Sequence, residues 1–343
     1  MVYRFKENRV RRAYTGGKQI DEFLGKENAQ NSNRPEEWLA SAVTAFNPDY
    51  EPIENEGLSV CQNGEFFKNV LEKNTEKILG ERLNKKHGGD MSILVKLLDS
   101  AERLVIQCHP TIPFAKKHFN SNFGKTECWY FLDTEPNAAV YLGFKEGITK
   151  EKWMSLFENQ DIDGMLGCLH KIPVNKGDLW FVDGGVPHAI GAGCFMVELQ
   201  EPSDLMVIPE KQTPSGRVLS EAKLHCGLGF EKMFDCFVYE GLTQQEIENR
   251  YFRKTKLIEN KIVPIVDSSF TNKFLMNGLR VNGKVNFNLG DTYAVCIVTE
   301  GECLLQCGAE KIPLKKGQSF LIGADSGNIA FSGKSDIIMC VAE

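Results

Sequence analysis

Two polar residues, Gln107 and His109, stand two positions apart in an otherwise apolar run, VIQCHP, at 105–110. We predict that this run is a core strand. Because alternate residues of a strand point to the same face, Gln107 and His109 would share one side. Buried polar groups cost free energy unless they find partners. Other parts of the chain must therefore supply partners for this pair.

Two further segments place polar residues in apolar surroundings. In GKTECWYFLD, at 124–133, strand alternation puts Lys125 and Glu127 on one face together with two aromatic side chains. In GGVPHAIGAG, at 184–193, His188 follows a Gly-Gly turn and begins another run typical of a strand.

Together these segments offer the ligands of a metal site: Gln107, His109, Glu127 and His188. Two imidazoles with a carboxylate and an amide oxygen suit Zn²⁺, and also Mn²⁺, Fe²⁺ or Co²⁺. Such a set leaves coordination positions open for water or substrate, as catalysis requires. The alternative is that each histidine is a hydrogen-bonded core residue and that Glu127 forms an ion pair with a neighbouring lysine. The coincidence of two alternating polar pairs with a glycine-flanked histidine favours the metal site.

Most of the chain consists of short β-branched and aromatic runs interrupted by Gly, Pro, Asn and Asp, which predicts an all-β core. Helical periodicity is limited to a few stretches. We predict helices over 64–84, 112–120, 149–168 and 243–251.

An internal repeat organises the chain. KIPVNKGDLWFV at 171–182 recurs as KIPLKKGQSFLI at 311–322 without a gap, and Gly177 aligns with Gly317. A turn leading into a strand, found twice, predicts a duplicated β-barrel. The alignment sets His188 against Asn328, and the second copy contains no histidine. A metal site would therefore belong to the first copy.

Composition excludes several classes of function. The 343 residues carry a net charge of -6, which does not favour binding to nucleic acid or to an anionic membrane. No apolar stretch approaches the length of a membrane span, and the basic start of the chain is not followed by one, so we interpret it as solvated or facing a ligand. The 11 cysteines are scattered without CxxC pairs. This pattern predicts reduced, buried thiols and a cytoplasmic location.

Several motifs in combination resemble the type I mannose-6-phosphate isomerases in their shorter bacterial form. They are QCHP, GKTECWYFLD, YLGFKEG, GDLWFVDGGVPHAIGAG and ELQEPSD, preceded by RAYTGGKQI and PEEWLASA. The resemblance implies a mainly β fold of double-stranded β-helix (cupin) barrels in tandem with a few short helices. It implies a metal-binding cupin domain with helical insertions at 1–225, a connecting segment at 226–259 and a metal-free cupin domain at 260–343. The C-terminal copy would be a structural lid or the surface of a homodimer.

The resemblance also implies an activity and a site. One Zn²⁺ per chain would serve the interconversion of mannose 6-phosphate and fructose 6-phosphate, a small phosphosugar substrate. Gln107, His109, Glu127 and His188 match the family positions that hold the metal, and Gln107, a weak ligand, would alternatively orient a water. Lys125 and Glu198 are our candidates for proton transfer, and Lys125 also for binding substrate. The family further implies that Asp204 orients the sugar or a basic partner, and that Trp38 and Ser41 line the substrate cleft.

Two residues depart from the family pattern. Ile208 stands where an active-site arginine is usual, and Val105 stands where a serine near the sugar phosphate is usual. Neither side chain can donate a hydrogen bond. Lys211 and Arg217 are possible replacements. Two other functions are therefore alternatives. One is an iron-dependent dioxygenase that uses two histidines and a carboxylate. The other is a non-catalytic or altered-specificity cupin that binds a sugar phosphate.

Overall fold

The strands dominate a computed structural model that describes all of residues 1–343, and nearly all of them pair antiparallel. The strands of the N-terminal part are Val2–Arg4 (β1), Arg9–Val10 (β2), Glu36–Leu39 (β3), Leu94–Ser100 (β4), Glu127–Thr134 (β5), Ala139–Lys145 (β6), Leu169–Pro173 (β7), Asp178–Val182 (β8), His188–Ile190 (β9) and Cys194–Gln200 (β10). Those that follow are Gly241–Leu242 (β11), Phe252–Lys254 (β12), Ile262–Val266 (β13), Phe274–Asn288 (β14), Ala294–Cys307 (β15), Glu310–Lys315 (β16), Ser319–Ile322 (β17) and Asn328–Ala342 (β18).

The helices are short and lie between the strands. They are Lys18–Phe23 (α1), Phe67–Lys73 (α2), Thr75–Leu79 (α3), Glu81–His87 (α4), Ile112–Phe119 (α5), Lys150–Glu158 (α6), Ile162–Gly167 (α7), Glu221–His225 (α8), Phe230–Met233 (α9) and Gln244–Tyr251 (α10). No helix is both long and apolar enough to cross a membrane.

The strands form three sheets. One sheet has the order β12-β8-β5-β10-β4-β3-β2, and a smaller sheet has the order β11-β6-β7 with β9 on the other side of β6. The third sheet has the order β1-β17-β15-β18-β14-β13, with β16 also paired to β15. The largest apolar core joins the first and third sheets, since Trp129 and Val197 belong to the same cluster as Tyr293 and Cys340. The prediction of a mainly β fold with a few short helices is confirmed.

The internal repeat corresponds to the same structural unit in both copies. The first copy comprises β7, a turn and β8, and the second comprises β16, a turn and β17. Gly177 and Gly317 occupy the turns with φ of 82° and 87°, a left-handed conformation that favours glycine. The equivalent turn geometry explains why this stretch of sequence is retained in both copies.

Several predicted elements differ from the structure. Residues 105–110 are not a strand: Gln107 and Cys108 form single bridges with two different partners, His188 and Val207. The predicted helix at 64–84 is three helices, interrupted at Asn74 and at Gly80, whose φ is 86°.

The remaining helical predictions are closer to the structure. The stretch 149–168 contains two helices, because Gln160 adopts φ 48° and Asp161 caps a new start. The helices predicted at 112–120 and 243–251 are confirmed as α5 and α10. Helices α1, α8 and α9 are too short to show a periodic pattern and were missed.

The two ends of the chain take part in the same sheet. Strand β1 pairs with β17, joining Val2 to Ile322 and Arg4 to Phe320. In another sheet, β12 pairs with β8. The division at 225 and 260 stays a prediction. All 11 cysteines are free and nine of them are buried, as expected for reduced thiols.

Candidate metal centre and charged cleft

Three predicted ligands, His109, Glu127 and His188, come together in the buried interior. Glu127 begins β5 and His188 begins β9, while His109 follows the two bridges that fasten the preceding residues. The ligand atoms of the three side chains all lie within 4.8 Å of one another. Glu127 Oε2 is 3.2 Å from His109 Nε2, and Glu127 Oε1 is 3.4 Å from His188 Nε2. The arrangement brings two imidazoles and one carboxylate to a single point.

The backbone orients both imidazole rings. His109 Nδ1 lies 3.1 Å from the carbonyl oxygen of Leu205, and His188 Nδ1 lies 3.0 Å from that of Val186. A ring nitrogen facing a carbonyl must carry the proton, so Nε2 of each ring keeps its lone pair. Each Nε2 lone pair therefore faces Glu127, and that of His109 also faces the Lys125 ammonium at 2.7 Å. Orientation of this kind, by a carbonyl on the far ring nitrogen, is typical of histidines that ligate metals.

The charge states suit a cation at the same point. Burial, with the nearby Lys125 ammonium, lowers the pKa of His109 to about 3. Burial also lowers the pKa of His188. Burial would raise the pKa of Glu127, but Lys125 and the two imidazoles hold it well below its usual value. Two neutral imidazoles and one ionised carboxylate are the protonation states that metal binding requires.

Unsatisfied buried atoms also indicate that His109, Glu127 and His188 fit a metal ion. Glu127 Oε2 and His188 Nε2 are buried, yet neither accepts a hydrogen bond. Lys125 Nζ lies 3.1 Å from that carboxylate oxygen, an ionic contact without hydrogen-bond geometry. Because buried polar atoms in native proteins are normally satisfied, two such atoms aimed at one point indicate a missing partner. His109, Glu127 and His188 could therefore bind a metal ion.

Lys125 connects this group to a cleft. Its Nζ is 2.7 Å from His109 Nε2, and the side chain is buried. Glu201 holds the backbone on either side of Lys125, since its carboxylate accepts hydrogen bonds from Gly124 N over 3.2 Å and Thr126 N over 2.9 Å. Lys273, next to β14, in turn donates to Glu201 over 2.9 Å and to the Thr126 hydroxyl. The C-terminal part thus braces the segment that positions Lys125.

Gln107 lies at the boundary between the metal group and the cleft. Its backbone exchanges two hydrogen bonds of 2.9 Å with His188, and its side chain lines the cleft beside Lys125. Direct ligation by Gln107 stays a prediction.

The cleft is bordered by residues 12–14 and 103–105 and by individual residues of the segment that follows β10, from Asp204 to Lys223. Glu198, on β10, and Asp204 both line it, as do Ile208 and Val105, the two residues that depart from the family pattern. Lys211 and Arg217, the suggested replacements for the missing arginine, do not line it. The cleft therefore brings together the three candidates predicted from the sequence, Lys125, Glu198 and Asp204. At position 208 it presents an isoleucine side chain, where the resemblance leads one to expect an arginine.

A chain of alternating charges forms one wall of the cleft. Asp204 bonds Arg12 over 2.9 Å, and Arg12 bonds Glu36 over 3.0 Å. Lys96 then lies 3.7 Å from Glu36 and 2.8 Å from Glu198. All five residues are buried, so each charge depends on its neighbours for compensation. Burial raises the pKa of the Glu198 carboxyl above its usual value despite the Lys96 ammonium.

Trp38 and Ser41 do not line the cleft. The indole of Trp38 donates to Glu36 over 2.7 Å and lies under Arg12 and Lys96, at 5.0 and 5.2 Å from their charged groups. Ser41 bonds only to nearby backbone and to Ser59. Trp38 supports the charged wall from behind, and a substrate contact for either residue stays a prediction.

The sequence predictions missed Arg12, Glu36 and Lys96 as members of the site. Lys96 did leave a signal, because it is the single charge in the apolar run ILVKLL at 93–98. Arg12 belongs to the basic start that was interpreted as solvated or facing a ligand, and the structure places it in the cleft.

Comparison with known proteins supports the resemblance drawn from the motifs. A model of the phosphomannose isomerase type I catalytic domain matches residues 53–140, and a model of the mannose-6-phosphate isomerase cupin domain matches residues 269–342. The mannose-6-phosphate isomerase ManA of Bacillus subtilis is 27% identical over 287 residues, which cover 82% of this chain and 85% of that protein. The mannose-6-phosphate isomerase of Streptococcus mutans is 27% identical over 285 residues, covering 82% and 84%.

Solved structures agree on the fold. The crystal structure of mannose 6-phosphate isomerase from Bacillus subtilis superimposes with a TM-score of 0.74 at 21% identity, covering 99% of each chain. A putative mannosephosphate isomerase from Archaeoglobus fulgidus gives a TM-score of 0.75 at 21% identity, covering 99% of this chain and 97% of that one. These similarities extend over the whole chain, including the C-terminal repeat.

Proposed function

We propose that the chain is a type I mannose-6-phosphate isomerase, because it is similar to the models and relatives of that family, and that it interconverts mannose 6-phosphate and fructose 6-phosphate with one Zn²⁺ per chain. One observation carries the proposal: Lys125 links a buried His/Glu/His group to a cleft lined with charged side chains. A single site thereby offers metal ligands and proton-transferring groups to the same small polar molecule.

The reaction moves a proton between C1 and C2 of the sugar through an enediol-like intermediate. It requires a base for the proton and stabilisation for the negative charge that develops on oxygen. Zinc held by His109, Glu127 and His188, with Gln107 as a weaker fourth ligand, would supply Lewis-acid polarisation of the sugar oxygens.

The residues of the cleft would transfer the proton and position the groups that do so. Glu198 and Lys125 are the proton-transferring groups, and the raised pKa of the Glu198 carboxyl brings it closer to neutrality, where a general base is efficient. Asp204 acts through Arg12 as a positioning residue, because both of its oxygens are engaged by that guanidinium. Trp38 positions Glu36 in the same way.

The free cysteines fit a reducing compartment, and we propose the cytoplasm. A homodimer through the C-terminal repeat belongs to the same proposal, and light scattering of the purified chain tests it.

The test is turnover of mannose 6-phosphate by the purified chain before chelation, after chelation and after addition of Zn²⁺. Activity that is lost with the chelator and restored by Zn²⁺, in the absence of oxygen, supports the proposal. The presence of Ile208 in the cleft favours one alternative, a protein that binds sugar phosphate without converting it. Binding of mannose 6-phosphate to folded, zinc-loaded protein without turnover would establish that alternative and overturn the isomerase.

A further inference from the structure

Three consecutive backbone N–H groups around Lys125 are fixed from two sides. Lys125 N donates to the carbonyl oxygen of Pro110 over 3.0 Å. The N–H groups of Gly124 and Thr126 donate to the two oxygens of the Glu201 carboxylate, over 3.2 and 2.9 Å. Glu201 N donates in return to Thr126 O over 3.0 Å. The backbone that carries the Lys125 side chain is therefore held on one side by a single carboxylate.

The Glu201 carboxylate is buried and depends on one cation. Glu201 is only 2% exposed, and a buried carboxylate is costly unless a positive charge compensates it. Its ion-pair partner is Lys273, whose Nζ lies 2.9 Å from Oε2 and also donates to the Thr126 hydroxyl. Without that ammonium, the uncompensated charge would favour a rearrangement that brings the carboxylate to water. Such a rearrangement would weaken its hydrogen bonds to the backbone on either side of Lys125.

Lys273 comes from the other repeat of the chain. It lies within 269–342, the segment that matches the cupin-domain model, whereas Lys125 lies within 53–140, the segment that matches the catalytic-domain model. The ion pair therefore joins the metal-free repeat to the backbone beside the metal group.

Aromatic packing fixes the segment that carries Lys273. Phe270 and Phe274 are close to it in the chain, and their ring centres lie 5.4 and 6.3 Å from that of Phe181, on β8. Phe274 is fully buried in the core that joins the two repeats. Because side chains on both sides of Lys273 are anchored against the first repeat, its ammonium is presented to Glu201 in a defined place.

The Lys125 ammonium has little freedom of position. Its Nζ lies 2.7 Å from His109 Nε2 and 3.1 Å from Glu127 Oε2. A catalytic group must be held within about 0.5 Å of its productive geometry, and a misplacement of about 1 Å can cost about 100-fold in rate. A shift of the backbone at Lys125 would move the ammonium away from both contacts.

We propose that Lys273 is a positioning residue, which acts through Glu201 to hold Lys125 in place for proton transfer and substrate binding. The inference rests on the proposed function, in which Lys125 has those two roles. The metal-free repeat then takes part in the reaction of the other repeat, in addition to covering it or forming a dimer.

The first test compares Lys273→Met with the wild type and with Lys316→Met, each as the zinc-loaded full chain. Lys316 is a matched control, because it forms an ion pair with Glu300 inside the same repeat. Lys273→Met should lower kcat for mannose 6-phosphate about 10- to 100-fold, and by more than it raises KM. Lys273→Arg should recover most of the rate, since it keeps the charge. A purely structural role predicts an unchanged kcat per folded molecule, with the folded fraction taken from thermal unfolding.

A double-mutant cycle tests whether the effect passes through Glu201. Glu201→Gln removes the charge that Lys273 compensates and replaces one acceptor oxygen by an N–H donor. Adding Lys273→Met to Glu201→Gln should therefore have little further effect on kcat. Full additivity of the two changes would overturn the proposed route.

Hydrogen exchange provides a measurement that does not depend on turnover. The amides of 124–126 should exchange about 10- to 100-fold faster in Lys273→Met than in the wild type, as expected when a hydrogen bond to a charged group is lost. Lys316→Met should match the wild type there. Unchanged exchange at 124–126 in Lys273→Met would overturn the inference, whatever the turnover. Faster exchange in a protein whose wild type does not convert mannose 6-phosphate would support the positioning of Lys125 and overturn only the isomerase.

Discussion

Arg12 and Asp204 are joined by hydrogen bonds of 2.9 and 3.1 Å although 192 positions separate them in the sequence. Both side chains are buried, and Glu36 holds the guanidinium from another direction. The pair closes the start of the chain onto the segment that follows β10, and it forms one end of the charged wall of the cleft.

Replacing Asp204 by Asn should destabilise the protein. The change leaves Arg12 buried with part of its compensation removed, which typically costs about 3–5 kcal/mol in the free energy of unfolding. The same change at Asp336, whose partner Arg280 is 41% exposed, should cost no more than about 1 kcal/mol. Urea denaturation of Asp204→Asn and Asp336→Asn measures the difference, and equal losses would refute the importance of burial at Arg12.

Removing the Glu127 carboxylate should abolish stoichiometric metal binding. Glu127→Gln keeps the shape but removes the only negative charge among the three ligands. Outer partners of metal ligands already contribute about 10- to 100-fold to affinity, so loss of this ligand should reduce zinc affinity at least as much. Metal analysis of the purified proteins tests this. His170→Gln is the control, since His170 bonds the carbonyl oxygen of Leu242 outside the group. Retention of one zinc per chain by Glu127→Gln would exclude this ligand set.

Asp291 should stabilise a helix of the other half of the molecule. Its carboxylate accepts hydrogen bonds from Glu81 N and Arg82 N, over 2.8 and 3.0 Å, at the start of α4. Loss of such a cap costs about 1 kcal/mol, so Asp291→Ala should lower the free energy of unfolding by that amount. Asp291→Asn keeps one acceptor and should lose less. If chemical denaturation gives Asp291→Ala the same free energy of unfolding as the wild type, the capping role is contradicted.

Glu37 should make the free energy of unfolding fall between about pH 4.5 and pH 8. Burial raises its pKa to about 8, against 4.5 for the free side chain. Because the folded chain holds this proton more tightly, its contribution to stability is complete below pH 4.5 and is lost as the pH rises through about 8. At pH 9 the loss amounts to roughly 3–5 kcal/mol. Glu37→Gln should therefore be more stable than wild type at pH 9.

Urea denaturation at pH 5, 7 and 9 distinguishes the titration of Glu37 from a pH dependence that every variant shares. Glu22→Gln changes an exposed carboxylate and should follow the wild-type profile. Parallel profiles for wild type and Glu37→Gln would show that Glu37 does not titrate in this range.

Local patterns in the sequence were sufficient to single out His109, Glu127 and His188, which the structure brings together. Alternation in 124–133 placed Lys125 and Glu127 on one face, and a glycine turn marked His188. The charged wall could not be found in this way, because Lys96 meets Trp38 and Glu198 only through the register of β4 with β3 and β10. Register between strands far apart in sequence is set by the whole sheet. The strand predicted at 105–110 failed for a related reason, since its backbone bonds are divided between His188 and Val207.

The pairing of β1 with β17 affects how the protein is made. Residues Val2–Arg4 leave the ribosome more than 300 residues before their partners Phe320–Ile322. Strand β1 must therefore wait unpaired while β2 to β16 are made, and its sheet can be completed only after β18 has emerged. Contacts between such distant residues also slow folding. We expect newly made chains to depend on chaperones for longer than proteins whose repeats fold one after the other.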